Sequence, residues 1–337
     1  INPPASDSAV AQTYDGTDWA TTSSLSTARQ QAAGFGASGL SAVAAGGYVS
    51  ASDANSLLTE EFNNSFEVVT AGAWASGGNL TAANSGRGAG GTQTAGIAFG
   101  GHPALATTET YDGSTWTEVA DLDNGRRQLG GAGTQTAALA FGGYIDATSA
   151  LSEEFDGSSW SEGNAMNTAR RYVAGCGTQT AAVAAGGGPP ASAATEEYDG
   201  TNWATSPGSL NTATFAGQVV GTLTAAVAFG GAPASTEEYD GSSWTEGNDM
   251  LRPANAKKAL GGAGIQTAAL AFGGDAAGGG TTTTEGYDGT NWSTRPAMGT
   301  ARYIIAGAGT ATLGLAIGGQ AGPILANVEE FTGDVAT

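Results

Sequence analysis

The sequence predicts an all-β chain folded as a seven-bladed β-propeller of four-stranded antiparallel blades. Three recurring marks carry this. Gly-Gly doublets begin at Gly46, Gly100, Gly142, Gly186, Gly230, Gly273 and Gly318. Acidic segments end in an aromatic at Phe62, Tyr111, Phe155, Tyr198, Tyr239, Tyr287 and Phe331. Tryptophans stand at Trp19, Trp74, Trp116, Trp160, Trp203, Trp244 and Trp292. From Gly100 onward the doublets lie 42 to 45 residues apart. Repetition at such a period marks a repeat architecture, and four short strands per period describe a propeller blade.

One unit shows the grammar. Arg126 to Gly131 opens a strand, and Gly133-Thr134-Gln135 turns it. Residues 136–141 form a short apolar strand stopped by Gly142-Gly143, and a variable loop follows. Residues 151–155 alternate as a half-buried strand does. Asp156-Gly157 signals a tight hairpin, because such turns need residues that tolerate positive φ. Trp160 begins the fourth strand, and residues 167–170 link to the next unit. No segment keeps a 3.6-residue period, so no helix is expected.

Blades radiate from an axis and crowd at the centre. Ala and Gly on the first two strands let the inner backbones approach. Trp on the outermost strand fills the wide end of the wedge, where an aromatic buries roughly 150–250 Å². Phe99, Phe141, Phe229 and Phe272 fill the layer between.

Composition narrows the function. The net charge is −20, from 31 acidic and 11 basic residues among 337. Nucleic-acid binding needs basic surface, so that partner is not expected. No stretch approaches the roughly 18 apolar residues of a membrane helix, and no membrane insertion is expected. The single Cys176 excludes an internal disulfide, and its small apolar neighbours read as core.

The order Gly-Gly doublet, Tyr, Trp and a short link ending in Arg resembles the kelch repeat over about residues 11–333. Two departures stand out. Ala or a similar residue replaces the aromatic two positions before the doublet, and the Tyr-to-Trp turn is the short Tyr111-Asp-Gly-Ser-Thr-Trp116 form. With its repeated Gly-Thr-Gln-Thr-Ala-Ala and Glu-Glu-Tyr-Asp-Gly phrases, this dialect looks like the propellers of marine tailed-phage virion proteins. The resemblance implies a ring closed by strands from both chain ends, with Trp19 supplying the fourth strand of the last unit. One third-strand candidate, residues 11–14 or 328–331, is then left outside the ring. The expected organisation is a tail over residues 1–10 and a single propeller over 11–337.

The usual catalytic inventories are missing from the sequence. One His, His102, cannot furnish the His pair of a kelch-like copper oxidase, and a zinc site needs several His or Cys. A serine triad would have to use His102, which sits in a Gly-Gly-His-Pro loop without a matching signature. The glycine runs do not precede helices, so they are not phosphate cradles. Asp15, Asp112, Asp156, Asp199, Asp240 and Asp288 read as turn residues, and no EF-hand ligand cluster exists. The adjacent pairs Glu60-Glu61, Glu153-Glu154, Glu196-Glu197, Glu237-Glu238 and Glu329-Glu330 point to opposite strand faces. They are therefore not acid/base dyads; one Glu of each pair is expected to bond within the blade stack and one to face solvent. No cofactor, metal or catalytic residue is expected.

The cations are not scattered. Aligning the units places Arg29, Arg87, Arg126, Arg170, Lys257 and Arg302 at one position, with Thr214 in the remaining unit, and Arg127, Arg171 and Lys258 directly after. Two readings fit. The six form an anion-binding ring at the channel mouth, since guanidinium groups bind carboxylates bidentately; or each Arg pairs with a Glu of its own or a neighbouring blade. The loops after the doublets, carrying Tyr48, His102 and Tyr144, complete the candidate binding face, because variable loops on a rigid scaffold carry recognition. The functional expectation is a non-enzymatic propeller on a virion or other extracellular surface, mediating attachment or particle assembly. Its expected partners are other virion or surface proteins or a cell-surface glycan, with homo-oligomerisation open. A purely structural fibre module and a polysaccharide hydrolase or lyase are the alternatives.

Overall fold

The structure, a computed structural model, describes residues 8–14, 19–21, 24–29, 33–38, 41–45, 48–49, 54–55, 59–63, 69–70, 72–253, 257–276, 278–333 and 335–336. The chain divides into two compact units: Ile1–Val69 with Ala336–Thr337, and Thr70–Val335. No helix occurs among the described residues.

The larger unit is a propeller of six four-stranded antiparallel blades. Blade 1 runs Gly88–Thr92, Ala95–Phe99, Thr108–Tyr111 and Trp116–Val119. Blade 2 runs Gly130–Thr134, Ala137–Phe141, Ser152–Phe155 and Trp160–Gly163. Blade 3 runs Ala174–Thr178, Ala181–Ala185, Thr195–Tyr198 and Trp203–Thr205. Blade 4 runs Gly217–Thr222, Ala225–Gly230, Ser235–Tyr239 and Trp244–Glu246. Blade 5 runs Gly261–Ile265, Ala268–Phe272, Thr284–Tyr287 and Trp292–Arg295. Blade 6 takes Ala306–Gly309, Leu313–Ile317 and Val328–Thr332 from the C-terminal side and Ala73–Ser76 from the N-terminal side.

Six blades, not seven, is a correction. Seven doublets and seven Trp are present, but Gly46 and Trp19 lie in the other unit. Trp74 does not complete the repeat that precedes it. Its strand pairs with the last third strand, Phe331 opposite Trp74, and closes the ring that Trp19 was expected to close. A count of repeats is blind to the repeat at which a ring begins, because strand pairing depends on spatial fit and not on chain order.

The N-terminal unit holds fragments of the same grammar. Gln12–Tyr14 pairs with Trp19–Thr21, with Tyr14 opposite Trp19, so residues 11–14 are the third-strand candidate outside the ring. Ala33–Ser38, Ser41–Ala45 and Thr59–Asn63 form a three-stranded sheet. Its Ala44 faces Glu60 across the pair, the register of Ala140 and Glu153 in blade 2.

In the ring, six apolar clusters each fill one gap between blades. Trp160 packs between Phe155 of its own blade and Phe99 of the previous one, with centroids 5.1 and 4.9 Å away. Phe141–Trp203, Phe229–Trp292 and Phe272–Trp74 repeat that cross-blade contact. Between adjacent inner strands the backbones come close: a Cβ on Gly131 would stand 2.7 Å from the Ala89 carbonyl oxygen. The doublets are equally constrained. Gly142 and Gly143 both have positive φ, and a Cβ on Gly142 would meet the Arg170 carbonyl at 2.7 Å. Each doublet is thus the place where the next link crosses a turning strand end.

Candidate recognition face

The link arginines are buried, not displayed. Arg87, Arg126, Arg170 and Arg302 each meet the first Glu of their own blade's third strand: Glu109, Glu153, Glu196 and Glu329. Arg302 shows the fuller form, with both Nη groups bonded and Nε left without a partner. It donates to Glu329 at 2.9 Å and to the carbonyls of Gly318 and Asn327, while Glu329 also accepts from the Gly299 and Thr300 backbone N–H groups. Burial pushes the Arg302 pKa down and the neighbouring Glu329 opposes this. Blade 2 has the weakest form. Arg126 and Glu153 approach to 3.1 Å out of line, leaving Arg126 Nε and Nη1 without partners. There burial pushes the Glu153 carboxyl up, against the pull of Arg126.

Blade 5 departs from the sequence alignment. Lys257 keeps the backbone position but not the role: it is buried, with its ammonium 3.9 Å from Asp249. Arg252 instead donates to Glu285 at 2.7 Å and to the carbonyls of Gly273 and Ala271. The signal was spacing. The buried link residue and the one before the first strand lie seven apart in Leu122–Leu129, Met166–Val173 and Met298–Ile305, but ten apart in Met250–Leu260. In blade 4, Thr214 donates to the Pro233 carbonyl and Glu237 is held by Asn211 and Thr212.

The second Glu is not simply solvated. Glu154, Glu197, Glu238 and Glu330 accept from the phenols of Tyr198, Tyr239, Tyr287 and Tyr111, each on the following blade. The exceptions are matched. Thr110 and Gly286 replace Glu in blades 1 and 5, and there the following blades carry Phe155 and Phe331 in place of Tyr. Two further kinds of bond tie most blades to the one before. Trp Nε1 donates to a third-strand hydroxyl in Trp160–Thr108, Trp203–Ser152, Trp244–Thr195, Trp292–Thr236 and Trp74–Thr284. Gln93, Gln135, Gln179 and Gln266, from the first hairpin turns, donate to two carbonyls of the preceding blade. The turn aspartates serve their own loops. Asp156 accepts from the Ser158 and Ser159 backbone and from Ser158 Oγ, whose bond is the first cause holding its carboxyl down to about 2.

Above this scaffold the links form a closed ring of backbone hydrogen bonds. The N–H of Gln128 donates to Gly86 O, Tyr172 to Gln128, Ala216 to Tyr172, Ala259 to Ala216, Ile304 to Ala259 and Gly86 to Ile304, at 2.7–3.4 Å. All six residues have positive φ. For the five that are not glycine this costs about 1–2 kcal/mol each, and the hydrogen-bonded ring holds them there. Beneath it the inner strands enclose a cavity of about 170 Å³ lined mainly by Gly and Ala. Cys176 borders that cavity, and burial pushes its thiol up, away from nucleophilic reactivity.

The residue before each member of the ring meets a loop after a doublet. Arg127 pairs with Tyr144, Lys258 with Asp275 and Tyr303 with Gln320, while His102 N–H donates to Ser85 O. Links and variable loops therefore share one face of the propeller. Of the nine predicted face residues, Tyr144 and His102 lie there, and His102 is exposed. Arg87, Arg126, Arg170, Lys257 and Arg302 lie buried under it. Arg29 and Tyr48 belong to the N-terminal unit; Arg29 is buried and the Tyr48 side chain lies outside the described residues.

What sequence reasoning underweighted is the second residue of the link. Arg127 and Arg171 are half-buried, and their guanidinium carbons lie 5.0 and 4.7 Å from the centroid of one ring, Tyr144. Arg171 also lies 5.7 Å from the Tyr172 ring, which packs 6.0 Å from Phe215. Gln128 donates to the Tyr172 hydroxyl at 2.6 Å. This cluster spans blades 2 to 4 and is not repeated. The corresponding link positions elsewhere are Ser85, Lys258 and Tyr303, and Lys258 is paired with Asp275 at 3.1 Å. No group of His, Cys, Asp and Glu able to hold a metal occurs among the described residues. No protein-family model matches this sequence, and no curated protein is significantly similar to it.

Proposed function

We propose that this propeller is a non-enzymatic recognition module of a virion or other extracellular surface, and that it binds its partner through the face built by the links and the loops after the doublets. One observation carries the reading. Residues repeated in every blade are consumed in holding the ring together, whereas the non-repeated aromatic and cationic residues gather on this one face. A propeller suits that division, because a rigid ring presents loops that vary independently of it. The extracellular or virion setting draws on the kelch-like repeat grammar and its likeness to marine tailed-phage propellers. The acidic, lysine-poor composition suits a protein that must stay dispersed.

The test is binding of the purified chain to a glycan array and to whole cells at physiological salt. Saturable binding is expected. Turnover of a polysaccharide would overturn the non-enzymatic assignment. A protein that melts cooperatively yet binds no surface would instead favour a purely structural fibre or decoration role.

A further inference from the structure

We infer that Arg127 and Arg171, whose guanidinium groups both lie over the Tyr144 ring, form an anion site for the carboxylate of an acidic saccharide. The proposal rests on the recognition reading above and names its ligand class.

The geometry is that of an unfilled clamp. Two guanidinium groups from adjacent links approach one tyrosine ring. In a chain with net charge −20 they stand out locally. Among the described residues neither lies within 4 Å of a carboxylate, and neither donates a side-chain hydrogen bond; the Nε atom of each is buried without a partner. Asp146 stands exposed in the Tyr144 loop and pairs with neither. Their buried neighbours Arg126 and Arg170 each meet a glutamate instead. With Nε buried, the Nη N–H groups of each guanidinium remain for a ligand, and they form a fork that fits a carboxylate. The chain's net charge of −20 repels anions elsewhere, and this is the one sector where two unpaired guanidinium groups approach the same ring among the described residues.

The neighbours favour a sugar over an acidic peptide. Beside the clamp stand the half-buried aromatic rings of Tyr172 and Phe215, of the kind that suit sugar C–H faces. Protein interfaces are anchored by buried apolar and aromatic hot spots that leave exposed apolar surface when unbound. The exposed large hydrophobics of the ring are Leu251, Ile265 and Leu313, and none belongs to this cluster.

The experiment titrates the intact chain with alginate oligomers (a polyuronate), neutral dextran and poly-L-glutamate by calorimetry, first at low salt and then at rising sodium chloride. Alginate should bind and dextran should not. Arg127→Gln and Arg171→Gln should each weaken alginate binding about tenfold, the loss of one charge-assisted contact, with the melting temperature held. Arg171→Lys should recover only part of the loss, because an ammonium lacks the fork. Alginate binding unchanged in the double Gln variant, or no polyanion binding at low salt, would overturn the site. Poly-L-glutamate binding as tightly as alginate would overturn the sugar assignment. Array or cell binding that ignores both substitutions would sink this site while the recognition reading stands. Alginate that is bound and cleaved would sink the non-enzymatic reading while the site stands.

Discussion

Arg126 and Arg127 are neighbours in one link, as are Arg170 and Arg171, yet each pair divides between two worlds. The first member is buried under the face against a glutamate of its own blade, and the second is half-buried beside Tyr144 with no carboxylate near. The chemistry is the same; the direction of the side chain differs, because successive residues of an extended link point oppositely. The contrast teaches how to sort a repeat protein. A residue that recurs with a recurring partner serves the unit. A residue that recurs in only two units, without a partner, is open to serve something else.

The largest expected effect tests the buried half of that contrast. Arg302→Met leaves Glu329 buried without its cation, and breaking such a pair costs about 3–5 kcal/mol. Chemical denaturation should show a loss of that size, larger than for Arg126→Met, whose guanidinium already leaves two nitrogens unbonded. Polyanion affinity should not change in either variant. Equal losses at the two sites would mean that hydrogen-bond completeness does not set the strength of the pair.

A smaller effect is expected between blades. Tyr239→Phe removes a phenol that donates to Glu197 of the previous blade, and should cost about 1–2 kcal/mol. Its pH signature is distinctive. Burial, and then the Glu197 hydrogen bond, push the Tyr239 pKa up to about 12. Folding therefore favours the neutral phenol. Its contribution is complete below the unfolded pKa of about 10 and is lost as pH climbs through about 12. Melts of the two proteins should converge over that range. A gap that stays constant across it would detach the bond from the phenol's ionisation.

Much of this scaffold was legible in the sequence, and the reasons differ by feature. Strand order, the Asp-Gly turns and the position of Trp on the outer strand follow from local chemistry repeated many times, which averages out the irregularity of single blades. The blade number was not legible. Trp19 and Trp74 carry the same local signal, and only the pairing of Trp74 with Phe331 separates them. The role of Arg252 was hidden by a longer link, which put Lys257 at the expected place. The inter-blade bond was written in the sequence as a covariation: Glu154, Glu197, Glu238 and Glu330 precede blades with Tyr, while Thr110 and Gly286 precede blades with Phe. Reading it requires the blade order, so it surfaces only with the fold. The Arg127–Tyr144–Arg171 cluster draws on three separate segments, and no spacing rule announces such a meeting.

The smallest expected effect is a gain, at the one gap where the repeated seal is incomplete. Five ring tryptophans donate Nε1 to a threonine or serine of the preceding blade. Trp116 faces Val328 at that position in blade 6, and its Nε1 is buried without an acceptor. Val328→Thr keeps the branched shape and adds the missing oxygen. A buried donor without a partner costs about 1–3 kcal/mol, and the new hydroxyl brings its own desolvation cost, so a net gain of about 1 kcal/mol is expected. In a ring of this size that is a rise of about 2 °C in Tm. The reciprocal change, Thr236→Val, should orphan Trp292 and lower Tm by at least as much. Thr108, Ser152, Thr195, Thr236 and Thr284 are all nearly inaccessible, so the buried hydroxyl is tolerated in the other five gaps. A fall in Tm for Val328→Thr would show that the closing gap, joined by strands from distant parts of the chain, is packed to a different geometry from the rest.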